Sequence, residues 1–320
     1  MGTALALLAA AACSSAADSP QGAGGEPTSS PQPTGQPSPR ATATATPVAT
    51  APVLVGAGDI ASCASTGDEA TAALLDAVFA GDVRGIVFTA GDNAYGSGTP
   101  AQFADCYEPS WGRHKARTRP VPGNHDYGTA GAGGYFGYFG EAAGDPARGY
   151  YSYDLGDWHI VAINSNCGKL GGCESGSPQE QWLRADLAAH PARCTLAYWH
   201  HPRFSSGSHG DANFMRAIWQ ALYEYGAEAA IAGHDHDYER FAPQDANGVA
   251  DPERGIRQFV VGTGGMSFYS FPGPPPANSE ARDDMSFGVL KLTLRPASFD
   301  WEYLPAAGST FTDSGSQTCH

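Results

Sequence analysis

The chain has 320 residues, 42% hydrophobic and 11% aromatic, enough for one large core or two small ones. Its formal net charge is −15, and lysine occurs only at Lys115, Lys169 and Lys291. A chain this acidic with no basic stripe argues against nucleic-acid binding, because phosphate contacts need Lys and Arg; an anionic ligand would have to meet local positive charge, such as a metal centre.

Taken in chain order, the first segment is a targeting signal. "ALALLAAAAC" (4–13) is an apolar run of signal-peptide length, too short to span a bilayer. It ends in small residues and Cys13, and so resembles a bacterial lipobox in which Cys13 is lipidated; a plain secretory signal is the alternative. Residues 14–52 are Ser, Pro, Thr, Gly, Gln and Ala almost throughout, a composition that buries too little apolar surface to order itself. We expect a disordered tether there. The protein is then extracellular or held at the cell surface by its lipid, with the membrane touched only through that anchor.

From residue 53 the pattern becomes strand–helix units. "PVLVGAGD" (52–59) is a buried strand ending in Gly-Asp, followed by a helix over about 68–80. "GIVFTAGDN" (85–93), "RPVPGNHD" (119–126), "CTLAYWHH" (194–201) and "EAAIAGHDH" (228–236) repeat the design, each an apolar run ending in polar residues. Ligands in open α/β sheets bind beyond the carboxyl ends of the strands, so five such ends predict one shared rim. Ser177-Pro178-Gln179-Glu180 predicts a capping box opening one helix. A second helix is expected over 211–226, capped by Asp211, with Phe214, Ile218, Leu222 and Tyr225 facing the core. Strands without ligands are expected at 150–155, 158–165, 257–264, 287–294 and 299–304, completing two sheets in one domain, about 53–305, with a tail at 306–320.

Apart from Cys13 there are six cysteines, an even set that fits disulfides in an exported chain and allows 15 connectivities. Cys167 and Cys173 flank a glycine-rich loop they can close; Cys63–Cys106 and Cys194–Cys319 complete the expected pairing. "RHKAR" (113–117) reads as a solvated helix end, with steering of anionic substrates the alternative. "GTAGAGGYFGYFG" (128–140) lacks the Lys-Ser/Thr of a phosphate-cradling loop and reads as a mobile loop or lid near the site. His114, His159, His190 and His320 stand outside any motif and are taken as structural.

The strand-end residues make up the donor set of a two-metal hydrolytic centre. Asp92 can bridge two cations. Asp59, Tyr95 and His236 complete one shell; a phenolate with two carboxylates suits a hard ion, so Fe³⁺ is expected there. Asn124, His200 and His234 complete the other, which suits Zn²⁺, Fe²⁺ or Mn²⁺. His234 and His236, one residue apart, thus reach different ions.

The ordered series GD, GDNAY (91–95), GNHD (123–126), WHHP (199–202) and GHDHDYER (233–240) resembles the calcineurin-like metallophosphoesterase superfamily, and within it the purple acid phosphatase branch. Tyr95 marks that branch, while Ala61 stands where its members usually carry Gly and other members of the superfamily carry a ligating His. The resemblance implies a four-layer α/β/β/α sandwich of two mixed sheets flanked by helices. It implies hydrolysis of a small phosphorylated substrate, a phosphomonoester, by hydroxide formed at the metals. Asn124, His125, His209 and His201 would then meet the substrate, with His125, His209 and Asp92 catalytic. Asp126 and Asp235 are read as acids that orient ligating groups or lie at the surface. A phosphodiesterase or nucleotidase using the same centre is the alternative, and an inactive metal- or partner-binding surface lipoprotein a remote third.

Overall fold

The computed structural model of the chain describes residues 50–81 and 83–320. Cys13 and the expected tether up to residue 49 lie outside the described residues. Among the described residues no helix is long and apolar enough to cross a membrane.

The strands in chain order are β1 (Val53–Ala57), β2 (Gly85–Ala90), β3 (Thr118–Val121), β4 (Tyr151–Leu155), β5 (Trp158–Ala162), β6 (Cys194–Tyr198), β7 (Ala229–Ala232), β8 (Tyr238–Phe241), β9 (Arg257–Val261), β10 (Ser279–Asp283), β11 (Gly288–Arg295), β12 (Ser298–Pro305) and β13 (Ser314–Thr318). The main helices are α1 (Gly67–Val78), α2 (Gly133–Phe139), α3 (Pro178–Ala189) and α4 (Arg216–Glu224). One sheet runs β13-β12-β11-β1-β2-β3, the other β10-β8-β9-β7-β6-β5-β4. Both are mixed: β1, β2 and β3 are parallel, as are β5, β6, β7 and β9, with antiparallel strands at the edges.

β1, β6 and β7 are buried along their whole length, which is why they read as unbroken apolar runs rather than alternating ones. Between the sheets, Leu54, Phe88, Tyr198, Phe259 and Leu292 join one core. A second core lies on the outer face of the second sheet, where Leu183 and Leu187 of α3 and Ile218, Trp219 and Leu222 of α4 meet Val161, Ala197 and Trp199. The expected four-layer α/β/β/α sandwich is what forms.

Several local expectations change. The tail is part of the domain: β13 pairs antiparallel with β12, and Cys194–Cys319 fastens it to the other sheet at β6. The other two disulfides, Cys63–Cys106 and Cys167–Cys173, form as expected. At α3, Ser177 accepts from the Glu180 amide, but Glu180 Oε2 accepts from Gly176 N (2.9 Å) rather than from Ser177, so the capping box is displaced by one residue. α4 begins only at Arg216, after a 3₁₀ turn at Asn213–Met215, because the Asp211 carboxylate is engaged by Ser205 N (2.9 Å) and caps nothing. Ile218 and Leu222 are buried as expected, whereas Phe214 is 50% and Tyr225 43% exposed. The 128–140 segment is no lid. It contains α2, whose Tyr135, Phe136 and Phe139 are buried in the inter-sheet core.

Candidate metal centre

The rim predicted from strand ends is present, and both sheets contribute to it. β1, β2 and β3 deliver Asp59, Asp92 and Asn124; β6 and β7 deliver His200 and His234, and the turn after β7 brings His236. Asp59, Asp92 and His234 all have positive φ (60°, 50° and 73°), a left-handed backbone that costs roughly 1–3 kcal/mol per non-glycine residue and persists where the surroundings over-determine it. Glycine supplies the remaining clearance. A Cβ at Gly123 would stand 2.0 Å from Asp92 Oδ1 and 2.3 Å from Asp92 N.

The donor atoms fall into two sets. In the first, Tyr95 Oη lies 2.7 Å from Asp59 Oδ1, 3.0 Å from Asp92 Oδ2 and 3.1 Å from His236 Nε2, with His236 Nε2 3.3 Å from Asp59 Oδ1. In the second, His200 Nε2 lies 3.0 Å from Asn124 Oδ1, 3.2 Å from His234 Nδ1 and 3.3 Å from Asp92 Oδ2. Asp92 Oδ2 is common to both. An ion held at about 2.0–2.2 Å from N and O ligands requires donors roughly 3 Å apart, which is the spacing found. His234 and His236 indeed turn to different sets.

Proton accounting also asks for a cation. His200 Nδ1 donates to the Ala90 carbonyl (2.8 Å), which directs the Nε2 lone pair of the neutral ring at two oxygens and another imidazole nitrogen. Only a positive charge reconciles these atoms. Burial pushes His200 down, but the Asp92 carboxylate overcomes it and raises its pKa to about 9; a proton there fills the place a metal would take. Burial and His200 together push His234 down to about 2, leaving its ring neutral and fit to ligate. Burial, then Asp59 and Asp92, hold the Tyr95 phenol well above its usual 10, so a phenolate needs a cation beside it. Asp92 is held low: burial opposes ionisation, yet His200 and His125 more than offset it. The residues fit a pair of metal ions.

Around these donors, His125 Nδ1 donates to Gly96 O (2.7 Å), its backbone amide donates to Asp92 Oδ1 (2.8 Å), and its Nε2 stays 3.9 Å from Asp92 Oδ2. His209 lies against His234 with centroids 4.2 Å apart and the rings tilted by 37°; its amide and Nδ1 both engage Asp235 Oδ1 (2.7 and 3.0 Å). His201 approaches the His234 ring to 4.4 Å and is held by the Ser165 hydroxyl at 2.8 Å. Asp126 and Asp235 are both buried rather than superficial. Asp126 accepts from Gly123 N (2.8 Å) and Asn93 Nδ2 (2.9 Å), steadying the GNHD turn, and burial with the nearby Asp92 charge raises it to about 7. Glu239 of the YER triplet accepts from Ser206 N (2.8 Å) and so pins the loop that carries His209.

Sequence reasoning missed Ser267 and Tyr269. Ser267 Oγ sits 2.8 Å from His236 Nδ1, and Tyr269 stacks on His236 at 4.0 Å and 14°. Both follow β9, an apolar run ending in glycine like four of the five ligand-bearing ones; that likeness was the available signal. The four histidines read as structural stay away from the two donor sets: His114 pairs with Asp76, His320 with Glu228, and His159 and His190 share Asp186.

Fold and site together set two adjoining sets of metal-ligating donors at one rim shared by the two sheets. The profile of the calcineurin-like phosphoesterases matches residues 54–238. Purple acid phosphatase 21 of Arabidopsis thaliana is 34% identical over 154 residues, covering 45% of this chain and 34% of that protein. Probable inactive purple acid phosphatase 27 of the same plant is 26% identical over 275 residues, 72% of this chain and 42% of its own. The structure of purple acid phosphatase PPD1 from yellow lupin (Lupinus luteus) superposes with a TM-score of 0.65 at 20% identity, over 84% of this chain and 54% of that one, a likeness of fold. The chain thus spans about a third of the length of the first curated relatives it matches. It belongs to the calcineurin-like phosphoesterase family, in its purple acid phosphatase-like branch, a family dependent on two metal ions.

Proposed function

We propose that the protein is an exported phosphatase that hydrolyses small phosphomonoesters. The observation that carries this reading is Asp92 Oδ2, a single carboxylate oxygen common to both donor sets. Asp59, Asp92, Tyr95 and His236 would hold Fe³⁺; Asp92, Asn124, His200 and His234 would hold Zn²⁺, Fe²⁺ or Mn²⁺. Bound there, the two cations supply a nucleophile from water near neutral pH and stabilise charge on the phosphoryl oxygens. A related plant protein is described as probably inactive, but every one of the seven donors is retained here, which favours turnover over mere metal binding.

The chain's own residues divide the remaining work. His125 turns Nε2 toward the shared carboxylate side, with Nδ1–H fixed on Gly96 O, and so presents one atom to a phosphoryl oxygen. Asn124, whose Oδ1 lies 3.0 Å from His200 Nε2, would hold a metal through that oxygen and have its amide N–H to offer the phosphate. His209 has Nδ1–H fixed by buried Asp235, so its Nε2 is the atom that passes a proton to the departing oxygen. His201, beside His234, borders the leaving-group side. Three disulfides in one small domain support an oxidising location outside the cytosol, and a lipid on Cys13 would retain the protein at the surface. The −15 charge speaks against a nucleic-acid partner.

The test is hydrolysis of 4-nitrophenyl phosphate beside bis(4-nitrophenyl) phosphate, with defined added metals. Monoester turnover at least tenfold above the diester supports the proposal. Diester turnover alone moves the function to a phosphodiesterase, and no turnover with any metal pair leaves a binding protein.

A further inference from the structure

A cavity of about 410 Å³ opens beside the second donor set, lined by Asn166, Cys167, Lys169, His201 and Phe214 among others. It lies within the roughly 300–1,000 Å³ range of small-molecule sites. Three features show that it is built and joined to the centre. His201 forms its inner wall, with ring centroids 4.9 Å from His200 and 4.4 Å from His234. Asn166 donates to Pro122 O (3.0 Å), two residues before Asn124. The Cys167–Cys173 disulfide closes the outer loop, and Cys167 Sγ lies 3.9 Å from Met215 Sδ, next to Phe214. The walls are therefore fixed against each other before anything binds.

Two residues of this cavity are set toward its open space. Phe214 is half exposed although its neighbours Met215 and Ile218 are buried, and its ring meets His201 edge-on at 5.6 Å. Among the described residues, Lys115 lies over the Tyr138 ring and Lys291 pairs with Glu302, while Lys169 has neither a carboxylate nor a ring as partner. Lys169 also lines a second cavity of about 430 Å³ together with Tyr127 and Thr129. On a surface this acidic, an ammonium without such a partner, in a cavity that reaches His201, attracts anions.

Resting on the phosphatase reading, we propose that this cavity is a leaving-group subsite. It takes a phosphate ester whose leaving group presents a flat ring to Phe214 and His201 and a second anionic group to Lys169. On hydrolysis, water oxygen bonds to phosphorus, the phosphorus–oxygen bond to the ring-bearing group breaks, and that oxygen takes up a proton. Phe214 and Lys169 act on which ester is chosen, not on the bond that breaks.

The test is calorimetric binding of three non-hydrolysable phosphonates to the metal-loaded full chain: methyl-, phenyl- and 4-carboxyphenylphosphonate. The native protein prefers phenyl over methyl, and carboxyphenyl over phenyl. Phe214→Ala weakens both ring ligands by roughly 2- to 10-fold, the worth of an aromatic pair, and leaves methylphosphonate unchanged. Phe214→Leu, which keeps an apolar side chain should the alanine variant misfold, recovers part of the ring preference. Lys169→Gln removes the advantage of carboxyphenyl over phenyl, roughly 2- to 5-fold, and the salt dependence that goes with it. Equal native affinities, or variants that weaken all three ligands alike, overturn the subsite. Turnover of glycerol phosphate and of 4-nitrophenyl phosphate is measured alongside. Persistence of either with no ring preference refutes the subsite alone, and absence of both with ring preference intact refutes the phosphatase alone.

Discussion

Asp92→Asn is the perturbation that bears most directly on the proposed centre. Asp92 Oδ2 contacts Tyr95 Oη at 3.0 Å and His200 Nε2 at 3.3 Å, one atom in each donor set, while Oδ1 accepts from His125 N at 2.8 Å. Asparagine keeps the shape and one oxygen. If its oxygen stays with the His125 amide, an NH₂ group faces both cations; if it flips, an NH₂ group faces the His125 N–H. Either way one negative charge leaves the space between two positive ones. Losing a single preorganised electrostatic contact in an active site costs roughly 10²–10³ in kcat, and this atom serves both ions, so a loss of about 10³ or more is expected. By transition-state arithmetic that is about 4 kcal/mol. Metal content by elemental analysis should fall from two equivalents to one or fewer, and the thermal midpoint of the metal-free chain should fall as well, because buried His200 loses the carboxylate that offsets its charge. A variant that keeps two tightly bound ions and turns over the monoester within tenfold of native refutes the bridging role.

Three further expectations follow from the same geometry. With iron(III) in the first set, the protein absorbs in the visible through an iron–phenolate pair, and Tyr95→Phe abolishes the band with little change in overall stability; a colourless iron(III)-loaded native protein contradicts the assignment. Gly123→Ala drives a Cβ to 2.0 Å from Asp92 Oδ1, so metal content falls below two and turnover drops by at least roughly 100-fold; native metal content would show that the turn relaxes freely. His159, buried on β5, is clamped by Asp154 of β4 (3.0 Å) and Asp186 of α3 (2.9 Å), with His190 stacked upon it. Burial opposes its charge, yet the hydrogen bonds with Asp186 and Asp154 raise its pKa above the ordinary 6.5. Burial likewise opposes ionisation of Asp186, but the His159 hydrogen bond brings it below 3.8. The raised histidine stabilises fully below 6.5 and loses its contribution as pH rises through the folded value; the lowered aspartate stabilises above 3.8 and loses its contribution as pH falls. His159→Asn therefore destabilises most between those two values, by about 2 kcal/mol in urea unfolding, and progressively less toward pH 9; a penalty that grows with pH rejects the clamp.

How much of this was legible in the sequence depended on what each element is buried against. β1, β6 and β7 are covered on both faces, and β2 over its last four residues, so their apolar runs stand out, and the polar residue after each run has no structural excuse. Strands β10 ("SEARD") and β13 ("SGSQT") were invisible because what holds them is backbone pairing at a sheet edge. The glycine-rich 128–140 segment looked mobile for a similar reason: its order comes from outside. A Cβ at Gly134 would meet Gly98 O at 2.0 Å, so glycine there permits close packing, and the aromatics of α2 anchor it. Helical spacing assigns Phe214 to the core because it cannot tell a buried face from the wall of an open cavity. The ligands show the same division more sharply. Their identity and order could be read, but nothing in the sequence announces that Asp59, Asp92 and His234 sit at positive φ, where local preference would place glycine. Those conformations are held by contacts between distant parts of the chain: Gly233 would clash with Asp59 if it bore a side chain, and the His234 amide donates to Asp59 Oδ2 at 2.7 Å. Strain at three donors, maintained by both sheets at once, means the centre is assembled by tertiary folding rather than by its motifs. Weakening the seam between the sheets should therefore loosen both donor sets together.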